Sequence, residues 1–413
     1  MKATSFLLIL ISLLTYVESP VLSQVTISGG NDNDIIGRTC RMLNGTLITV
    51  IERNANWDTG DFYVSFSTNN GDTWSSPTAI LSETGNQSTF SLILSPDDSL
   101  RLFYASNESG IYKIYSISSY NGLIWTNKTI IELGWIISQE IYDPVVIVEE
   151  DSSFTMSYIK MGGGTYIANC PYGGNWDQNL TLVQSGAYRS RICKNTYGTY
   201  LMAYHRNISG NYDIHVKTSS NRINWSSEID LTSNGNSHDA FCNATSDGKY
   251  IVYYSKVFPT KYNIHRRISD DGINWQTEEI ITTDFVENTQ SSFFIESNTI
   301  YLTWTHAVDY ATDNDIYFEK FNYTLANIES VSENKQIEVF HNNFDNQIEI
   351  IFISKFENVN ITVCDISARN YFINHNNSIT DNKIIINTKA FKPGIYFVKI
   401  ITKKEKTVKK IIL

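Results

Sequence analysis

The sequence predicts an all-β chain, a six-bladed β-propeller followed by a small C-terminal β-sandwich, and three observations carry that prediction. Five tryptophans, Trp74, Trp125, Trp176, Trp225 and Trp275, recur at intervals of 51, 51, 49 and 50 residues. A fixed period near 50 in a strand-rich chain marks a radially repeated β unit. Between the tryptophans the same order of short alternating strands returns each time. From about residue 336 the period stops and lysines accumulate, from Lys383 to Lys410, which marks a separate unit.

The 413 residues give room for one large and one small domain. An aromatic share of 13%, with 25 Tyr and 8 Trp, suits many short strands. Each repeat has a strong apolar second strand, at 46–51, 100–104, 154–158, 200–204, 250–254 and 300–304. A third strand opening on Asp or Asn follows, as at Asp61, Asp213, Asn263 and Asp315, then a polar turn, the tryptophan and a short fourth strand such as 78–81. The sixth unit, about 288–330, lacks the tryptophan turn. An unclosed ring leaves two sheet edges unpaired, so residues 25–28 are expected to supply its outer strand, or else residues 325–331 complete it. The expected layout is a signal peptide over 1–23, the propeller over 24–330, a linker at 331–335 and the C-terminal domain over 336–413.

The leader has Lys2, a short apolar run at 6–14, and small residues Val21 and Ser23 before Gln24, the pattern of a cleaved secretory signal. About nine apolar residues are too few to cross a hydrocarbon core of roughly 30 Å. A formal charge of −11 argues against a nucleic-acid partner, which needs a basic footprint. The cysteines Cys40, Cys170, Cys193, Cys242 and Cys364 are odd in number and form no CxxC pair. They read as free thiols, and no metal or cofactor is expected.

The turn before the first tryptophan runs Ser67-Thr68-Asn69-Asn70-Gly71-Asp72-Thr73-Trp74, and the next Ser118-Ser119-Tyr120-Asn121-Gly122-Leu123-Ile124-Trp125. They resemble the Asp-box (BNR) repeat of sialidase-like propellers, Ser-x-Asp-x-Gly-x-x-Trp. The fifth copy, Ser269 to Trp275, is one residue short. The third has Asn169 for the serine, and the fourth has Arg222 for the glycine. Glycine permits a backbone that a Cβ would strain and the tryptophan packs between strands, so the motif is structural. The end of the chain, Lys392-Pro393-Gly394-Ile395-Tyr396-Phe397-Val398-Lys399 with Lys409-Lys410-Ile411-Ile412-Leu413, resembles the C-terminal sorting domain of type IX secretion substrates. His341-Asn342-Asn343 stands where that family has Pro-Asn-Pro. The resemblance implies export across the outer membrane by the type IX machinery, to the cell surface or beyond. An Ig-like carbohydrate-binding sandwich is the other reading of this tail.

Propellers act at the funnel where first strands begin and second strands end. The rim residues there are Arg38, Arg53, Asp58, Asp143, Arg189, Arg191, His205, Arg206, His238, Asp239, His306 and Asp309. The sialidase resemblance implies that Arg38 binds a substrate carboxylate, that Arg53 assists, and that Asp58 is the catalytic acid/base. Arg206 would join the arginine cluster, and Arg189, His238 and Asp239 would complete the substrate site. An arginine fork suits a carboxylate, and a partly desolvated Asp suits proton transfer.

The sequence departs from that family in several places. Thr39-Cys40 replaces Ile-Pro, and His238-Asp239 stands where a third arginine belongs. Gln290-Ser291 stands in place of the nucleophilic tyrosine, and Arg189-Ser190-Arg191 in place of the glutamate that activates it. The expected function is therefore a secreted, monomeric, glycan-directed sialidase-like propeller, a glycoside hydrolase with an altered catalytic set. One alternative is a glycosidase pairing Asp58 with Asp143, Asp239 or Asp309. Another is a non-catalytic lectin or adhesin that stacks Trp57, Trp135, Tyr142, Tyr188 or Tyr310 on sugar rings. The plainer reading of the aspartates is turn capping or pairing with neighbouring arginines. His205, His238 and His306 could also meet as a metal site.

Overall fold

The computed structural model describes residues 24–54, 59–134, 138–178, 180–233, 235–258, 260–283, 286–309 and 313–322, with further segments between 337 and 412. The leader, Trp57, Asp58, Trp135, Tyr310 and the expected linker lie outside the described residues, and of Asp309 only the backbone lies within them. The chain divides into two compact units, 1–322 and 323–413.

The first unit begins with β1 (Val25–Ser28) and continues into blade one, β2 (Asp34–Arg41), β3 (Leu47–Asn54), β4 (Gly60–Ser67) and β5 (Thr78–Leu81). Blade two is β6 (Gln87–Leu94), β7 (Leu100–Ser106), β8 (Lys113–Ser119) and β9 (Thr126–Ile130). Blade three is β10 (Ile141–Val148), β11 (Phe154–Lys160), β12 (Gly164–Cys170) and β13 (Thr181–Gln184). Blade four is β14 (Ala187–Lys194), β15 (Tyr200–Ile208), β16 (Asn211–Ser219) and β17 (Ile229–Asp230). Blade five is β18 (Ser237–Ala244), β19 (Tyr250–Val257), β20 (Tyr262–Ser269) and β21 (Glu279–Ile280). Blade six holds β22 (Glu287–Glu296), β23 (Thr299–Asp309) and β24 (Asp313–Asn322).

Each sheet is an antiparallel meander of four strands, and β1 completes the sixth by pairing with β24, Val25 opposite Phe318. The segment expected at residues 25–28 thus supplies the outer strand of the sixth blade, and residues 325–331, the other expectation, lie outside the described residues. The first strands β2, β6, β10, β14, β18 and β22 pack side by side around the axis. Apolar side chains on facing sheets fill the gaps between blades. Between blades one and two these are Val50, Phe62, Phe90, Leu102 and Tyr104, all essentially dry.

The tryptophan turns show why their residues recur. In blade five the Ser269 hydroxyl accepts the Gly272 N–H at 2.8 Å, and Asp271 accepts those of Ile273 and Asn274 at 2.8 and 2.7 Å. In blade two the serine that bonds the turn is Ser119, not Ser118, with the Gly122 N–H at 2.9 Å. Blades two, four and five therefore share the shorter spacing, and the first copy, with Ser67 bonding Gly71, is the longer one. Arg222 holds the glycine position at φ 65°. It offsets that strain with bonds from its guanidinium to Thr155 and Asn169 of blade three, both 2.8 Å.

The second unit is two small antiparallel sheets. One holds β25 (Ile337–Asn342), β26 (Gln347–Phe352) and β29 (Lys383–Asn387). The other holds β27 (Val359–Asp365), β28 (Asn370–Asn377), β30 (Ile395–Ile401) and β31 (Lys406–Ile412). Ile348, Ile350 and Ile386 of the first share one core with Ile361, Val363, Val398 and Ile400 of the second. This is the sandwich the sequence predicts.

Candidate functional site

A repeated irregularity builds the funnel. Every first strand carries one extra residue against its second strand, within about a residue of the same height in all six blades. In blades two to six a non-glycine residue at that bulge is left-handed: Thr89 (φ 39°), Asp143 (56°), Arg189 (50°), Asp239 (53°) and Gln290 (51°). Each such residue costs on the order of 1–3 kcal/mol, and such strain gathers where side chains must be aimed. Bulge geometry, not spacing, sets which residues face the axis.

Hydrogen bonds tie the bulges together from blade to blade. Glu52 of β3 accepts the Ser88 hydroxyl at 2.8 Å and the Thr89 N–H at 2.9 Å. Thr89 Oγ1 accepts the Asp143 N–H at 3.2 Å, and the Asp143 carboxylate accepts Arg191 at 2.9 Å. Across the next junction the Asp239 N–H donates to His205 Nδ1 at 3.3 Å, and the Arg189 guanidinium lies 3.7 Å from the Asp239 carboxylate. Ser292 and Thr305 of blade six join it to blade one, donating to the carbonyls of Gly37 and Ile35 at 2.7 and 2.6 Å.

Three arginines converge inside this belt. Burial pulls Arg38 down to about 9, with repulsion from Arg191 and Arg189 adding to it and Asp143 and Glu52 opposing. Among the described residues the Arg38 guanidinium bonds only its neighbour's carbonyl, Gly37, at 3.1 Å. It lies between the rings of Phe241 and Phe90, at 5.2 and 5.9 Å. Arg38 and Arg191 border an axial cavity of about 300 Å³ that also meets Cys40, Cys193 and Cys242. Burial raises the Glu52 carboxyl, against its two hydrogen bonds and the attraction of Arg189 and Arg38. Burial also raises Asp239, but Arg189, His205, His238 and Arg191 outweigh it and hold the group below the ordinary range.

Above the arginines lies a pocket of about 230 Å³ lined by Tyr142, Tyr188, Arg189, His205 and Tyr212. His205 is drawn down to about 4, chiefly by burial, with His238 and Arg189 adding and Asp239 and Asp143 opposing. It is neutral at pH 7, which agrees with Nδ1 accepting a hydrogen bond. The His205 and His238 rings meet at 5.4 Å.

Of the residues singled out in the sequence, the funnel brings together Arg38, Asp143, Arg189, Arg191, His205, His238 and Asp239. Two expectations need correction. Arg53 is held by Asp34 at 2.7 Å and Asp32 at 2.6 Å and lies over Tyr63, because strand alternation turns it away from the side on which Glu52 meets blade two. Arg206 is held by Glu228, just before the outer strand of blade four, at 2.7 Å, so it does not join the arginine cluster. His306 also stands apart from His205 and His238, stacked on Tyr317 at 4.1 Å and bonded to Asn288.

His215, Glu228 and Asp230 bring three donor atoms together. Glu228, however, already accepts Arg206 and the Tyr204 hydroxyl. Blade five repeats the set with Lys256, Tyr254, His265 and Glu278, so the arrangement braces these two blades. Sequence reasoning missed Glu52, Thr89 and Tyr212. The only mark of Glu52 in the sequence is an acid at the end of the apolar run of β3, which is buried without a break from Leu47 to Glu52.

Residues 338–413 match the family described as the secretion system C-terminal sorting domain. The tail is thus a type IX sorting domain, and it marks the protein for export to the cell surface or the medium. No curated protein matches the chain. Among solved structures, a protein of unknown function from Dyadobacter fermentans aligns with a TM-score of 0.61 at 11% identity, covering 73% of this chain and 98% of that one. The K499G mutant of the NanB sialidase from Streptococcus pneumoniae gives 0.59 at 10% identity, over 73% and 70%. An α-L-arabinofuranosidase from Fusarium graminearum gives 0.53 at 10% identity, over 70% and 97%. At such identities the likeness is one of fold, and the fold is the β-propeller shared by sialidases and arabinanases.

Proposed function

We propose that this is a secreted glycan-directed protein whose funnel seats a sugar carrying a carboxylate. One observation carries the reading: Arg189, held at φ 50°, lines a pocket walled by Tyr142, Tyr188, Tyr212 and His205. Aromatic walls suit the apolar faces of a pyranose, and a guanidinium on a rigid bulge suits a carboxylate through paired charge-assisted bonds. Arg38 lies behind it with donors to spare. The sialidase and arabinofuranosidase among the structural neighbours support a saccharide as ligand, by analogy of fold.

Binding without turnover is the form the geometry favours. Asp143 and Asp239 face arginines, and Glu52 is buried and bonded to Ser88 and Thr89. A glycosidase needs one carboxyl free to give a proton and a second to attack or to activate water. The hydrolytic form of the proposal therefore rests on Asp58 as acid. The test is to assay the exported chain and its Asp58→Asn variant on sialyl and uronic glycosides while measuring binding of the same compounds. Binding by both proteins with no turnover is the expected result. Turnover by the parent that is lost in Asp58→Asn would make the protein a hydrolase instead.

A further inference from the structure

Pocket-lining tyrosines are part of a longer aromatic surface. Tyr112, Tyr212 and Tyr262 stand at whole multiples of the 50-residue period, each within one residue of the start of a third strand. Tyr142, Tyr188 and His238 stand at the starts of first strands. In a meander both kinds of position come to the same end of the blade, so the repeat places one ring after another along the rim of blades two to five. The Tyr112 and Tyr142 rings are 6.4 Å apart. Across the pocket mouth Tyr188 stacks on His205 at 6.2 Å, and His205 meets Tyr212 at 5.5 Å. Tyr212 meets His238 at 4.7 Å, and His238 meets Tyr262 at 5.4 Å.

Hydrogen bonds anchor both arms of the arc, at the ring of Tyr112 and at the backbone of Tyr262. The Tyr112 hydroxyl accepts Asn86 Nδ2 at 2.8 Å, and the Tyr262 N–H donates to Glu287 at 2.6 Å. Tyr188 is exposed, and Tyr112, Tyr142, Tyr212, His238 and Tyr262 are partly so. A single pyranose, about as wide as one ring spacing, fills only the pocket. It leaves the arms of the arc, towards Tyr112 and towards Tyr262, without a partner in the ligand.

Resting on the function proposed above, we propose that the ligand is an acidic oligo- or polysaccharide. One carboxylate-bearing unit sits in the Arg189 pocket and neighbouring units stack along the arc from Tyr112 to Tyr262. Stacking on pre-positioned rings adds affinity at small entropic cost, because tyrosine and histidine have few rotors to freeze. Affinity must then grow with chain length.

Calorimetry of the full chain with α-1,4-galacturonate and α-2,8-sialate series of one to six units tests this. The expected result, in at least one series, is a rise of tenfold or more between one unit and four, then a plateau. Tyr112→Ala or Tyr262→Ala should lower tetramer affinity about fivefold and leave the monomer within twofold, with thermal melts confirming the fold of each. The length series needs no variant, so it decides the matter even if a variant misfolds. A monomer that binds as tightly as the hexamer overturns the arc and leaves the pocket standing. No binding at any length in either series overturns both.

Discussion

The carboxylate of Glu52 accepts the backbone N–H of Thr89 at 2.9 Å across the junction between blades one and two. Thr89 is left-handed at φ 39°, a conformation a β-branched residue adopts only when its surroundings impose it. Its hydroxyl in turn holds the Asp143 backbone, and Asp143 holds Arg191. One buried acid thus sets the first link in a chain that ends at the arginine cluster.

Removing that acid should be costly, and the cost should depend on what replaces it. Glu52→Ala leaves a buried N–H and a hydroxyl without their acceptor, a loss of about 2–4 kcal/mol. Glu52→Gln keeps an acceptor for Thr89 and should cost less than about 1.5 kcal/mol. Urea unfolding of the two variants measures the difference. Equal losses would mean that the amide oxygen cannot stand in for the carboxylate, and would contradict a role as hydrogen-bond acceptor alone.

Gly122 and Gly110 separate strain from collision. Both are left-handed, at φ 75° and 94°. A Cβ on Gly122 would come within 2.5 Å of Ile48 and 2.9 Å of Phe66, whereas one on Gly110 meets nothing within 4 Å. Gly122→Ala should therefore cost about 1–3 kcal/mol more than Gly110→Ala, the usual range for overpacking. Thermal melts of the two variants check it, and similar losses would contradict the packing of the turn against blade one.

His205 should make the fold acid-sensitive in a definite window. Its folded pKa lies near 4, below the ordinary 6.5. Between those values the unfolded chain takes up a proton that the folded one refuses. The stability is present in full above pH 6.5 and is lost as pH falls towards 4, by about 1.4 kcal/mol per unit. His205→Gln should flatten that slope in unfolding measured from pH 7.5 to 4.5. An unchanged slope would mean that the imidazole protonates freely in the fold.

Glu319 should act in the opposite sense. Burial pushes its carboxyl up to about 8. Its contribution to stability is present below the unfolded value near 4.5 and is lost as pH rises through 8. Glu319→Gln, neutral at every pH, should therefore gain on the parent as pH rises from 5 to 8. Parallel curves for the two proteins would contradict a protonated Glu319.

Much of the fold was legible in the sequence because a propeller repeats its solution. The tryptophan period, the apolar second strands and the segment at residues 25–28 each had one place to go. The tail was legible from its Pro-Gly-Ile-Tyr core and basic finish. The site was legible only in part. Arg38, Arg189, His238 and Asp239 could be placed from strand starts, but parity decides where a side chain faces. A one-residue bulge reverses parity without leaving a mark in the pattern. Arg53 and Arg206 lie on second strands, which carry no bulge against their third strands, and there plain alternation turns them to Asp34 and Glu228. Glu52 passed unnoticed because a buried acid inside an apolar strand carries no motif of its own.

Whether Arg189 reads a carboxylate, as proposed, is tested most directly by a matched pair of ligands. Calorimetry of the exported protein with trigalacturonate and with the corresponding neutral galactose trisaccharide should show the acid binding at least tenfold more tightly. Arg189→Met should bring the acid down to the level of the neutral sugar. Equal affinity for the two ligands, or an acid whose affinity survives Arg189→Met, would contradict the account.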